Sequence, residues 1–368
     1  MNRLEALHDA GVSISLDTLS RDLLDSGTFA ALIADSAVTG ATSNPTIFAK
    51  AITGSDRYDE QLRAAGLRER DPQRLFFELA LADVVRAADL LLPAYEASGG
   101  SDGFVSFECT PDLADDTAAT VEQALELWSR LARPNVMIKV PATDAGVPAI
   151  QELTARGVNV NVTLLFSVAR YEQVIDAYVA GLEQRVREGL PIEAIASVAS
   201  FFISRIDAKA DARLAAGSKL RGRVAIANAH RAYGRYRERF ADERWSSLRR
   251  AGGRPQRPLW ASTGTKDPAY SDVLYVEQLI APDVINTMPE TTLRAFADHG
   301  VVRRAFDDIT GAAPVLLAHA ADAGVDLAAI TAQLEREGVR AFCDSYRELL
   351  DCIEAKREPI AGAVSATS

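Results

Sequence analysis

Val158-Asn159-Val160-Asn161-Val162-Thr163-Leu164 alternates strictly between apolar and polar side chains. Successive side chains of a β-strand point to opposite faces, so this segment has one valine face and one amide–hydroxyl face. The same alternation recurs in Ser13-Ile14-Ser15-Leu16-Asp17, where both serines and the aspartate share a face, and in Val105-Ser106-Phe107-Glu108. Parallel strands buried on both faces read instead as continuous apolar runs. A strand with one polar face suits a closed barrel, whose apolar outer face packs on helices while its polar faces converge on the axis. The polar residues also gather toward the C-terminal ends of the strands, where barrel enzymes place their chemistry.

Outward from that segment, strands are expected at residues 13–19, 37–43, 104–108, 136–140, 158–164, 196–203, 259–262 and 284–287. Amphipathic stretches lie between them, with Val121, Leu125, Trp128 and Ala132, or Val174, Tyr178, Leu182 and Val186, at helical spacing. Eight strands separated by helical crossovers predict an α/β fold of the (β/α)8 TIM-barrel type with additional helices. The whole chain, 1–368, reads as a single barrel domain. Its longest crossover, about 204–258, is rich in Ala and Arg, breaks at Gly252-Gly253 and is expected to hold added helices. Residues 291–356 read as helical throughout, with a C-terminal extension from about 312, and the last dozen residues are expected to fray.

A net charge of −11 argues against nucleic acid as a partner, because phosphate neutralisation needs excess Lys and Arg. A phosphorylated small molecule needs only a few local cations. No apolar run approaches the ~20 residues that cross a bilayer, and the first residues lack a secretory signal. Cys109, Cys343 and Cys352 are too scattered for a disulfide framework or a zinc site, and the four histidines are dispersed. A cytoplasmic protein without a metal is the resulting expectation; oligomeric state is not legible.

Lys139 sits within Val136-Met137-Ile138-Lys139-Val140-Pro141, an apolar strand ended by proline. Desolvating an ammonium is costly, so burial and nearby cations favour the neutral amine, the form that attacks a ketone. A structural lysine paired with a barrel carboxylate fits the same position. Asp17 and Glu108 end the first and third strands. Two acids beside a lysine can divide proton transfers, though each taken singly reads first as a counter-charge or a loop cap. Asn44, before Pro45, marks a loop, whereas Asn161 and Thr163 share an inward face and need polar partners. Ser200, Phe202 and Arg205 close the sixth strand; the arginine fork suits phosphate, or is simply solvated. Ser262 and Lys266, in Trp260-Ala261-Ser262-Thr263-Gly264-Thr265-Lys266, lie where late-strand loops of such barrels often hold phosphate. The cluster Arg231, Arg235, Arg237 and Arg239 is interleaved with acids and reads as a solvated helix face.

Taken together, Gly40-Ala41-Thr42-Ser43-Asn44-Pro45-Thr46, Val136-Met137-Ile138-Lys139-Val140-Pro141-Ala142 and Val160-Asn161-Val162-Thr163-Leu164-Leu165-Phe166-Ser167 resemble the transaldolase family. The likeness runs from about Gly11 to about Gly311, with motifs on all eight strands in order. The segments at Trp260 and at Val284-Ile285-Asn286-Thr287-Met288-Pro289-Glu290 resemble the long subgroup found in actinobacteria and related microbes. The resemblance implies a class I aldolase-type barrel of the non-oxidative pentose phosphate pathway that works without a cofactor. Such an enzyme transfers a dihydroxyacetone unit from sedoheptulose 7-phosphate or fructose 6-phosphate to glyceraldehyde 3-phosphate or erythrose 4-phosphate. It assigns the Schiff base to Lys139, the proton shuttle at the cleaved bond to Asp17, and a water for Schiff-base chemistry to Glu108 and Thr163. Asn44 and Asn161 match residues that hold the dihydroxyacetone part, and Ser200, Phe202 and Arg205 match the substrate and phosphate end.

There is one departure. Many transaldolases carry an arginine shortly after the seventh-strand serine, whereas here Ser262 is followed by Thr263-Gly264-Thr265-Lys266, leaving Lys266 to supply that charge. Three other readings compete. A fructose 6-phosphate aldolase would release free dihydroxyacetone, but those enzymes look shorter and usually carry Gln at the Glu108 position. A metal-dependent barrel hydrolase lacks a histidine cluster here, and a non-catalytic sugar-phosphate-binding barrel leaves Lys139 and both acids without a task.

Overall fold

Eight parallel strands close on themselves in sequence order: β1 (Val12–Leu16), β2 (Val38–Thr42), β3 (Val105–Glu108), β4 (Val136–Pro141), β5 (Val160–Leu165), β6 (Ser197–Phe202), β7 (Arg257–Ala261) and β8 (Val284–Met288). The computed structural model describes residues 2–303 and 311–365. All eight strands shift by at least one residue from their expected bounds, and three of them by two or more, for local reasons. β1 stops at Leu16, after which Asp17 N donates to Met288 O at 2.7 Å and Ser20 caps the helix Arg21–Asp25. Asn159 falls outside β5; its side chain donates to Pro134 O and Val136 O and accepts from Ala196 N, bridging neighbouring segments through its amide. β7 starts earlier, at Arg257, and ends before Ser262, whose φ of 57° is left-handed.

The alternation builds the barrel in layers. Along β1, Ser13 faces the N-terminal end, Ser15 the middle and Asp17 the C-terminal mouth. The middle is largely apolar, with Met137, Val198, Leu259 and Ile285, while the mouth carries Thr42, Lys139, Thr163, Ser200 and Thr287. On the outer faces, Val136, Ile138, Val140, Val160 and Val162 are fully buried under the helices. The hydrophobic effect therefore closes the barrel from outside, and the axis at the mouth is left for polar groups.

The enlarged crossover folds into helices Ser204–Asp211, Val224–Arg239 and Glu243–Arg250. Two arginines of its basic cluster are occupied by acids: Arg235 pairs with Glu172 and Glu238, and Arg239 with Asp176 and Asp242.

Residues 291–356 are not helical throughout. Helix Glu290–His299 ends at Gly300, and helices Ala312–Asp322 and Leu327–Ser365 are separated by a turn with Gly324 at φ 90°, a conformation that β-carbons resist. Residues 304–310 lie outside the described residues. The tail expected to fray is helical as far as Ser365, and 366–368 also lie outside. The last helix crosses the barrel mouth. It is tied beyond β6 by Glu337 to Lys209 at 2.9 Å, and beyond β2 by Ser345 to Thr46 at 2.7 Å and Lys356 to Asp59 at 2.9 Å. Among the described residues no single helix is long and apolar enough to cross a membrane.

Candidate active site

Lys139 is held by register. Glu108 pairs with Lys139 across β3 and β4, and Lys139 with Asn161 across β4 and β5, so all three lie at one level of the barrel. Lys139 Nζ donates to Ser43 O at 2.8 Å and stands 3.1 Å from Glu108 Oε2, both side chains being 6% exposed. That spacing is an ion pair, but its angles are not those of a hydrogen bond, and Glu108 Oε2 has no hydrogen-bond partner among the described residues. Thr163 Oγ1 is likewise buried without a partner. Buried polar atoms seldom stay so, and both have spare capacity to bond a substrate atom or a water. Burial pushes the Glu108 carboxyl above its ordinary range, Lys139 opposes the rise, and Asp17 adds to it.

Asp17 lies just past the end of β1, half-buried and lining the mouth. Its Oδ1 accepts from Thr42 Oγ1 at 2.9 Å, and Thr42 shares a 2.7 Å hydrogen bond with Thr287. Burial raises its affinity for a proton, against Lys139, the Thr42 hydroxyl, Arg205 and Lys266, which all favour the charged form. Both acids are thus better proton holders than free carboxylates, and they sit in different electrostatic company.

Asp17, Asn44, Lys139, Thr163, Ser200, Phe202, Arg205, Ser262 and Lys266 line one cavity of about 150 Å³ at the mouth. Arg205 begins the helix after β6; its guanidinium lies 5.3 Å from the Phe202 ring centroid. Neither Arg205 nor Lys266 has a carboxylate at ion-pair distance among the described residues. Two such cations at one end of a polar cavity have the chemistry to hold an anion, with the arginine fork inside and the lysine exposed at the rim. Ser262 Oγ, at that same end, lies 3.0 Å from Ser204 Oγ.

The family described as transaldolase/fructose-6-phosphate aldolase matches residues 14–353 of the chain. The chain belongs to this family. A transaldolase of Saccharopolyspora erythraea is 52% identical over 358 residues, covering 96% of this chain and 97% of that protein. Transaldolases of Parafrankia sp. and Thermobifida fusca are each 49% identical, over 370 and 356 residues, with at least 95% of either chain covered.

Two of the residues singled out in this transaldolase-family sequence stand apart from the main cavity. Asn161 is fully buried beneath it, donating to Ser106 Oγ at 2.9 Å and accepting from Ser200 Oγ at 2.7 Å. Glu108 faces a smaller neighbouring space shared with Asn44, Phe48, Phe76 and Tyr346. Asn44 does cap a helix, accepting from Ile47 N at 3.0 Å, but through Oδ1 alone, which leaves its amide nitrogen for the cavity it lines. Sequence reasoning missed Thr42 and Thr287, although both occupy inward positions of expected strands, and missed Phe342, which reaches the cavity from the last helix with no local signal. Among the described residues no three His, Cys, Asp or Glu side chains gather so as to hold a metal ion.

A larger cavity, about 660 Å³, opens at the opposite end, lined by Ser13, Phe104, Met137, Arg254, Arg257 and Ile285. It holds no lysine–carboxylate pair and lies at the starts of the strands, the end of such barrels that serves stability.

Proposed function

We propose that the protein is a transaldolase that carries a dihydroxyacetone unit from fructose 6-phosphate or sedoheptulose 7-phosphate to glyceraldehyde 3-phosphate or erythrose 4-phosphate, bound covalently to Lys139. The observation that supports this best is the buried Lys139–Glu108 contact of 3.1 Å beside Asp17, under an unpaired Arg205. A ketose phosphate enters by the mouth with its phosphate toward Arg205, Lys266 and Ser262. The amine must shed a proton before it attacks, and Glu108, raised by burial, is in place to take it.

Nζ then adds to the ketone carbon, and the carbinolamine loses water, its oxygen leaving with a proton relayed by Glu108 and Thr163. The resulting iminium is the electron sink. Asp17 takes the proton of the C4 hydroxyl, the C3–C4 bond breaks, and an aldose phosphate departs. The bond's electrons remain on the three-carbon enamine, which Asn44 holds from the cavity wall while Asn161, buried beneath, orients Ser200. An incoming aldehyde accepts those electrons at its carbonyl carbon while Asp17 returns its proton to the new hydroxyl. Water then releases the product and restores the amine. The lysine serves as the electrophile, so this reading calls for no cofactor.

In this reading the whole chain works as one barrel domain, its crossover and C-terminal helices completing the mouth. It works in the cytoplasm, where phosphorylated sugars are too charged to leak across the membrane. The test is product formation from fructose 6-phosphate with and without an acceptor aldehyde. Ketose phosphate that is consumed only when the acceptor is present supports transfer; free dihydroxyacetone released at the same rate without acceptor identifies an aldolase instead.

A further inference from the structure

Arg205 and Lys266 sit on different segments, one on helix Ser204–Asp211 and the other in the loop after β7. The span between the two cations therefore depends on what joins those segments. Five contacts do so, directly or through the crossover at Arg221 and Gly222. Asp211 Oδ2 accepts from Tyr270 Oη at 2.6 Å, and Asp207 Oδ2 accepts from Tyr275 Oη at 3.0 Å. Arg221 lies 3.6 Å from Asp267, next to Lys266, and donates to the Asp211 carbonyl at 2.7 Å. Gly222, at φ +69°, lies under the Tyr270 ring, and a Cβ there would stand 2.9 Å from Tyr270 Cζ.

Asp207 and Asp211 are one helical turn apart on the helix that opens with Arg205, and both are buried. Each also accepts a backbone N–H from the crossover, from Ala225 at 2.8 Å and Gly222 at 3.1 Å. Apolar packing would join a loop to a helix without desolvating two carboxylates, but it lacks direction. Short, directional hydrogen bonds fix position as well as contact.

We propose that Asp207 and Asp211, gripping Tyr275 and Tyr270, are positioning residues that set the span between Arg205 and Lys266, and with it the preference for phosphorylated over unphosphorylated aldehydes. The inference rests on the transaldolase reading of the cavity. Neither tyrosine lines that cavity, so the clamp acts through the loop.

Tyr270→Phe removes only the hydroxyl and keeps the ring on Gly222. At saturating fructose 6-phosphate, its KM for glyceraldehyde 3-phosphate should rise about three- to tenfold with kcat within about twofold, while its KM for unphosphorylated glyceraldehyde stays put. Gly222→Ala, which displaces the ring and leaves Asp211 intact, should do the same. Asp211→Asn can still accept from Gly222 and bond to Tyr270, so it should stay within about twofold of the parent. Unchanged KM values in Tyr270→Phe, or equal rises for both aldehydes, would overturn the clamp. A parent protein without transfer activity would sink the underlying reading, whereas an active parent with an indifferent Tyr270→Phe variant sinks the clamp alone.

Discussion

Around Lys139 the nearest polar partners among the described residues are oxygens, Ser43 O at 2.8 Å and Glu108 Oε2 at 3.1 Å. Taking both charges of such a pair from water costs several kcal/mol, and apolar side chains of like volume often fill the space as well or better. Stability therefore gives no reason for the pair, and chemistry does. The double variant Lys139→Met/Glu108→Leu should unfold at a temperature no lower than the parent's while losing all transfer. A structural lysine would instead show a clear drop in melting temperature. The inward positions of Asp17, Glu108, Lys139 and Thr163 were legible because side-chain alternation along a strand is obligatory. The Ser43 carbonyl and the Thr42–Thr287 hydrogen bond were not, since they arise from register between strands that are distant in sequence.

At the scale of the element, helix Ser204–Asp211 buries Asp207, one of its acids, where burial opposes the charged form. Burial pushes the Asp207 carboxyl up to about 7, against the Ala225 N–H that favours its charge, with Asp211 adding repulsion and Tyr275 relieving it. In the unfolded chain the same carboxyl ionises near 3.8. Between those values the unfolded chain has released a proton that the fold retains, so this group's contribution to stability falls as pH rises and levels off above about 7. Asp207→Asn cannot titrate and still accepts from Ala225 through its amide oxygen. The parent's melting temperature should therefore fall more steeply than the variant's between about pH 5 and pH 8. Parallel profiles would contradict that assignment. The extra helices of this crossover were readable from its length and composition; the long C-terminal run was over-read as unbroken because helical periodicity continues through Gly300 and Gly324, which only backbone conformation identifies as stops. Phe342, which walls the cavity, looks in the sequence like any apolar helix residue.

At the scale of the whole molecule, the two ends of the barrel divide the work. The C-terminal mouth gathers the acids, Lys139 and the cations Arg205 and Lys266. At the N-terminal end, Arg257 donates to Ser101 O at 2.9 Å, Asp283 O at 3.2 Å, Val284 O at 3.1 Å and Ser13 Oγ at 2.7 Å, fastening strand starts together. Arg257→Met strips those acceptors of a charged donor and should cost at least about 2 kcal/mol of stability. The kcat of the folded fraction should hold, because this end lies a full barrel's depth from Lys139. A variant with normal stability and lost activity would reverse that division. The barrel itself was legible from eight strand segments separated by helical stretches, several of them with one polar face; the greater size of the cavity at the N-terminal end was not, since it depends on how the loops around 98–103 and 254–257 pack.

The central claim is that Lys139 bonds covalently to a sugar ketone. Borohydride reduction in the presence of fructose 6-phosphate, followed by peptide mass spectrometry, tests it directly. A reduced three-carbon adduct on the peptide containing Lys139, absent from Lys139→Arg, is the expected result. An adduct on another lysine, or a Lys139→Arg variant that transfers as fast as the parent, would contradict it.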